Sequence, residues 1–154
     1  MKPHIIQAFT GAGRDVLAQE MGEPVEPGKM KMQGGPYKSN DVTVIIGLAG
    51  DMEGSVILSM SKDTALAYVS RVMGEASAEL DELAQSGVGE LANVIAGRAG
   101  AILGEKGDDV VIAPPTIILG AGTTLSTLGL PRLILPVETP LGVVEIQLAT
   151  NGKC

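Results

Sequence analysis

Cysteine occurs once in this 154-residue chain, as Cys154 at the last position, and histidine once, as His4. A single thiol closes no internal disulfide and builds no metal cage. A Ser-His-Asp or Cys-His catalytic grouping would have to recruit His4 from one end of the chain, and a lone histidine near a helix start reads as a surface residue instead. Tryptophan is absent, and Phe9, Tyr37 and Tyr68 are the only aromatic residues. Base stacking, sugar stacking and aromatic cages thereby lose their main tool. Positive charge is also scarce. There are 11 Lys and Arg against 18 Asp and Glu, giving a net charge of −7, and the basic residues form no stripe. Nucleic-acid binding through phosphate contacts has no support in such a pattern. No apolar run reaches the ~20 residues of a membrane-spanning helix, since the longest is broken by Glu90, Asn93 and Arg98. The first residues carry no basic and apolar leader, so the expectation is a cytoplasmic protein with no membrane contact. Protein recognition or a small polar site remains.

What is present suits a packed fold. Apolar residues make up 45% of the chain and charged residues 19%, which argues for a core and against wholesale disorder. The length fits one domain over residues 1–154. Residues 4–21 read as a helix with Ile5, Ile6, Phe9, Val16 and Leu17 on one side. Gly11 and Gly13 weaken its middle and mark a tight packing point or a bend. Residues 22–40 are rich in Gly, Pro, Lys and Met and hold one short edge strand near 29–33. Then Val42, Val44, Ile46 and Leu48 alternate with Thr43, Ile45, Gly47 and Ala49, and residues 55–60 alternate again after a glycine-bounded turn. Two such runs make a β-hairpin.

Ser61 suits an N-cap for a helix over 62–73 that stops at Gly74. Ser77, followed by Glu79, Asp81 and Glu82, predicts the start of a second helix running to about Gly104. Strands near 110–119, 132–139 and 142–149 follow the acidic turn Gly107-Asp108-Asp109. Thr139-Pro-Leu-Gly142 suits a tight hairpin turn, and Pro136 marks a bulge or an edge. The loop over 120–124 has small and hydroxylated residues but lacks the lysine of a phosphate-binding loop, so it reads as an ordinary turn. The predicted fold class is α+β: a mostly antiparallel sheet of about six strands, with a long central helix and further helices packed on one face.

The central helix carries the candidate site. At about 100° per residue, Val88, Leu91, Ile95, Ala99 and Ile102 fall in one apolar stripe. Ser86, Glu90, Asn93, Gly97, Gly100 and Gly104 gather on the opposite side. A solvated helix face ordinarily carries Lys, Glu, Gln or Ala, and glycine there costs ~1 kcal/mol per site relative to Ala. A face left this bare lets another backbone come close to Glu90 and Asn93. It reads as a docking surface with a little chemistry on it.

These residues resemble the CheC/CheX/FliY family of chemotaxis phosphatases. The resemblance rests on Ser86, Glu90, Asn93 and Gly97, which match the family's pattern of an acid or Ser, three residues, Glu, two residues, Asn. Strand pairs before and after the long helix agree with it, over residues 4–150. One copy of the motif is present, as in the CheX branch, whose single copy sits on a long helix of a homodimer. Ser86 stands where other members carry Asp, and Pro114 and Pro115 lie close to the place of a proline that follows the family's Asn.

The resemblance implies hydrolysis of the aspartyl phosphate on a phosphorylated CheY-like response regulator. It implies that Asn93 positions the attacking water and that Glu90 anchors the regulator through its active-site lysine. Ser86, Gly97 and Gly100 then take partner-binding roles. No cofactor of the chain's own is implied, the Mg²⁺ of the reaction belonging to the regulator, and a homodimer is. Two alternatives stay open: a non-catalytic adaptor that binds a response regulator or flagellar switch component through the same face, and helix packing inside a dimer, with Glu90 and Asn93 merely interfacial.

Overall fold

Side-chain caps start two of the three described helices. The computed structural model describes residues 1–151, and Cys154 lies outside them. Helix α1 (Pro3–Met21) starts on a proline, whose fixed φ and missing N–H suit a first helical turn. It runs unbroken through Gly11 and Gly13, and of the two expectations there, a tight packing point or a bend, Gly13 shows the first: a Cβ on it would collide with Ile146 Cδ1. Helix α2 (Lys62–Met73) is capped as predicted, with Ser61 Oγ accepting the Thr64 N–H at 3.1 Å and Gly74 closing it at φ 72°. Helix α3 (Glu82–Glu105) begins later than Ser77 suggests. Its cap is Asp81, whose Oδ1 accepts from Ala84 N at 2.9 Å, whereas Ser77 N–H is held by Ser70 Oγ in the preceding loop. No described helix is long and apolar enough to cross a membrane.

The strands are β1 (Glu26–Pro27), β2 (Lys31–Gln33), β3 (Tyr37–Lys38), β4 (Val42–Gly50), β5 (Gly54–Met60), β6 (Val110–Ile112), β7 (Thr116–Leu119), β8 (Thr124–Leu125), β9 (Arg132–Thr139) and β10 (Gly142–Thr150). The main sheet runs β1-β9-β10-β5-β4-β6, with β2 beside β9 and β7 beside β4, and every pairing is antiparallel. Both predicted hairpins form, β4 with β5 and β9 with β10. The single strand expected over 110–119 is corrected to two, because neither Pro114 nor Pro115 can donate to a ladder. Leu48 pairs with Ile112, but Ile45 pairs with Thr116, so the register slips by one residue and the chain bulges between. Pro136 lies inside β9, and its carbonyl accepts from Gly28 N at 2.7 Å. Its missing donor therefore faces the break between β1 and β2, where no ladder bond is lost.

All three helices lie on one sheet face. Val44, Ile46, Leu58, Val144 and Ile146 are buried there with Val16 and Leu17 of α1 and Val88, Leu91 and Ile95 of α3. A second cluster joins Ile5 and Phe9 of α1 to Ala99 and Leu103 of α3, with Met52 from the β4–β5 turn filling the space between. His4 ties the start of α1 to the turn after α3, its Nε2 lying 2.9 Å from Asp108 Oδ2.

Strand alternation alone would leave the opposite face to water, yet Thr43, Ile57, Ile134 and Gln147 are buried on it. Strands β3 and β8 pair as a separate ribbon, and Tyr37 of this ribbon stacks on the Arg132 guanidinium at 4.7 Å. The 120–124 loop is the expected turn, clamped by Ser39, whose Oγ donates to Gly120 O at 2.9 Å and accepts from Thr123 N at 3.0 Å.

Gly54 opens β5 at φ 152°, and the Ala149 carbonyl oxygen of β10 fills the space a Cβ would need. Gly54→Ala is therefore expected to destabilise the fold by about 2 kcal/mol or more, read as a lower urea midpoint. An unchanged midpoint would contradict this packing.

Candidate functional site

Helix α3 seats one side in the core and turns the other outward. Val88, Leu91, Ile95 and Ala99 are buried and Ile102 half-buried, whereas Ser86, Glu90 and Gly97 are exposed and Asn93 and Gly100 half-buried. Steps of four, three and four residues line up Ser86, Glu90, Asn93 and Gly97 along one helix face. The side chains of Ser86, Glu90 and Asn93 make no hydrogen bond with another described residue, which leaves their polar atoms to an outside partner.

The glycines of α3 divide into two jobs. A Cβ on Gly97 or Gly104 would meet nothing within 4 Å, so the helix backbone is bare to the outside at those turns. Gly100, half-buried on the same face, is flanked instead, its Cβ position lying 3.3 Å from Ile112 Cδ1 of β6. Gly89 is bare for a similar reason, with Pro115 Cγ and Ile117 Cδ1 each 3.4 Å from its Cβ position. Room for a partner's backbone is therefore centred on Gly97, and Gly89 and Gly100 let the bulged β6–β7 segment approach the helix.

That approach builds a cleft of about 570 Å³ beside the motif, lined by Glu82, Gln85, Ser86, Gly89, Glu90, Pro115 and Ile117. Its wall opposite α3 is the proline bulge, which gives Pro115 a physical place at the site. Two carboxylates and no basic group line it, so a partner's cation suits it. A separate cleft of about 590 Å³ lies on the other sheet face between Tyr37, Ser59 and Glu145, away from α3.

On the α2 flank, a Cβ on Gly87 would lie 3.8 Å from Val69 Cγ2, and Tyr68 is buried within the field of Glu20 and Glu90. Burial, and then those two negative charges, push the Tyr68 hydroxyl up to about 12. It stays protonated at neutral pH. Sequence reasoning missed Tyr68, Gln85 and Ile117 as neighbours of the motif. The paired prolines were the one visible trace of the cleft wall; nothing local in the sequence links Tyr68 to Glu90.

The sequence model of the family described as Chemotaxis phosphatase CheX matches residues 42–138, a span that holds α3 and the β4–β5 hairpin. The chain belongs to the CheX family. It is 34% identical over 139 residues to the CheY-P phosphatase CheX of Thermotoga maritima, covering 90% of this chain and 89% of that one. The crystal structure of CheX from Desulfovibrio desulfuricans matches with a TM-score of 0.84 at 28% identity, over 96% of this chain and 99% of that one. The CheX of Borrelia burgdorferi, solved as a CheX–CheY–BeF3–Mg²⁺ complex, gives 0.84 at 31% identity over 95% and 97% of the two chains.

The tyrosine surroundings make an alkaline prediction. Burial raises Tyr37 above its ordinary value of 10.0 as well. A raised folded-state pKa favours the fold fully below the unfolded value and loses that contribution as pH rises, here between about 10 and 12 for Tyr68. Ultraviolet titration of the folded protein should show one of the two tyrosines still protonated at about pH 11, and stability should fall as pH rises above about 10. Both tyrosines ionised at that pH in the folded protein would contradict the burial of Tyr68.

Proposed function

We propose that this protein hydrolyses the aspartyl phosphate of a CheY-like response regulator, with Asn93 positioning the attacking water and Glu90 anchoring the regulator. The observation that carries the reading is the outward line Ser86-Glu90-Asn93-Gly97, in which the three polar side chains make no hydrogen bond with another described residue and Ser86 and Glu90 border an acidic cleft. Phosphoryl transfer passes through a loose transition state, so catalysis is chiefly placement and charge neutralisation. The regulator brings the acyl phosphate, a lysine and Mg²⁺. The missing part is a water held in line with the breaking bond. A carboxamide both donates and accepts hydrogen bonds, so Asn93 can fix that water without acting as a strong base. Glutamine does comparable work in GTPases.

Glu90 lies one turn before Asn93 on the same helix and projects into solvent at the cleft edge. Its carboxylate pairs with the regulator's lysine and sets the helix down with Asn93 beside the phosphoryl group. Ser86 supports the contact one turn earlier, and the bare backbone at Gly97 admits the regulator's loops. The chain contributes no metal in this scheme, and the reaction takes place in the cytoplasm with its regulator.

Asn93→Ala is expected to lower turnover of the phosphorylated regulator by about a hundredfold or more while leaving its binding nearly unchanged. Glu90→Lys is expected to weaken binding at least about tenfold, because it sets like charges against each other. Timed phosphate loss and a direct binding titration on each variant separate the two roles. Wild-type turnover in Asn93→Ala would remove the water-positioning role, and unchanged affinity in Glu90→Lys would remove the anchor. A protein that binds the regulator through this face and never speeds phosphate loss would be an adaptor.

A further inference from the structure

The outward line of α3 does not start at Ser86. Counting back three residues reaches Leu83, so that Leu83, Ser86, Glu90, Asn93 and Gly97 follow one another at steps of three, four, three and four. Leu83 is 61% exposed, the most exposed large apolar side chain on any described helix. One exposed leucine on a protein surface is ordinary and explains nothing by itself. Its position is what matters here. It belongs to neither hydrophobic cluster, and the Asp81 cap starts the helix without it, so the fold gives it no packing task.

One turn further along α3, a Cβ on Gly87 would reach Val69 of α2, and the last two residues of α2, Val72 and Met73, are 56% and 40% exposed. They lie at the end of α2 that leads through residues 74–81 into the start of α3. The outward line of α3 thus begins on one exposed apolar side chain, Leu83.

We infer that Leu83 is the apolar anchor through which α3 grips the phosphorylated regulator, and that it sets affinity for the regulator and not the rate of the chemical step. The inference rests on the proposed function, since the occupant is the regulator surface that borders its acyl phosphate. Leu83 lies on the same helix face as Glu90, two turns away, so a regulator seated on Glu90 and Asn93 covers it too. Interfaces concentrate their binding energy in a few well-packed, fully desolvated side chains, and an exposed leucine covered by a partner gains the free energy of burying its apolar surface. Charged contacts such as that of Glu90 contribute more to orientation and encounter.

The test uses the whole protein with a phosphorylated regulator at varied concentration. Leu83→Ser is expected to raise KM about tenfold with kcat unchanged, and Leu83→Met, which keeps volume and apolarity, is expected to restore KM. Circular dichroism should show the same helix content in both, because the side chain is exposed. An unchanged KM in Leu83→Ser, or a fall in kcat at constant KM, would overturn the inference. Asn93→Ala, run alongside, keeps the two readings apart. Lost turnover there together with a wild-type Leu83→Ser sinks the anchor alone, whereas retained turnover there sinks the catalytic reading on which the anchor depends.

Discussion

Helix α3 carries five glycines in 24 residues, and a helix of that composition stays formed because its other side is seated on the sheet. Against an all-alanine version the glycines cost roughly 5 kcal/mol in helix propensity. Burying Val88, Leu91, Ile95 and Leu103, each almost without exposure, returns about 1.5–3 kcal/mol per side chain. The packing term is the larger, so tertiary contact and not local preference holds the helix. Every functional feature depends on that seating. The outward face can be stripped of side chains only because the inward face is fixed by Val44, Ile46 and Ile146 of the sheet beneath it.

The same constraint shapes the walls beside the helix. Two successive prolines break the outer strand and slip its register, and the resulting bulge comes against Gly89. A Cβ at Gly89 would already touch Pro115 and Ile117, so the bare backbone there brings the bulge close beside the cleft that Ser86 and Glu90 share with Pro115. Across the helix, Tyr68 of α2 is buried within the field of Glu20 and Glu90. The site is thus a rigid helix line between a proline wall and a helix wall. Placement of one amide is the kind of catalysis that such rigidity supports.

Much of this was legible from residue order. The two faces of α3, the Ser61 and Gly74 boundaries of α2 and both long hairpins follow from periodicity and capping chemistry that act within a few residues. Three things were not. The 110–119 strand divides because prolines deny ladder donors, a cue present in Pro114 and Pro115 but outweighed by the apolar run around them. The β3–β8 ribbon pairs two-residue strands more than 80 positions apart, too short to leave any periodic signal. Gly100 sits with the outward set on a helical wheel, yet Ile112 of a distant strand reaches it. The last two were decided by contacts between segments far apart in the chain.

The central claim is that the Asn93 amide stands beside another protein's phosphorus with room for one water between. The most direct test is a crystal structure of this protein bound to a response regulator carrying Mg²⁺ and a stable phosphoryl mimic. The account predicts α3 laid across the regulator's active site, the Glu90 carboxylate on its lysine, and the Asn93 amide within one water of the phosphoryl centre. A complex assembled through another surface, or one in which the Asn93 amide points away from the phosphoryl group, would contradict it.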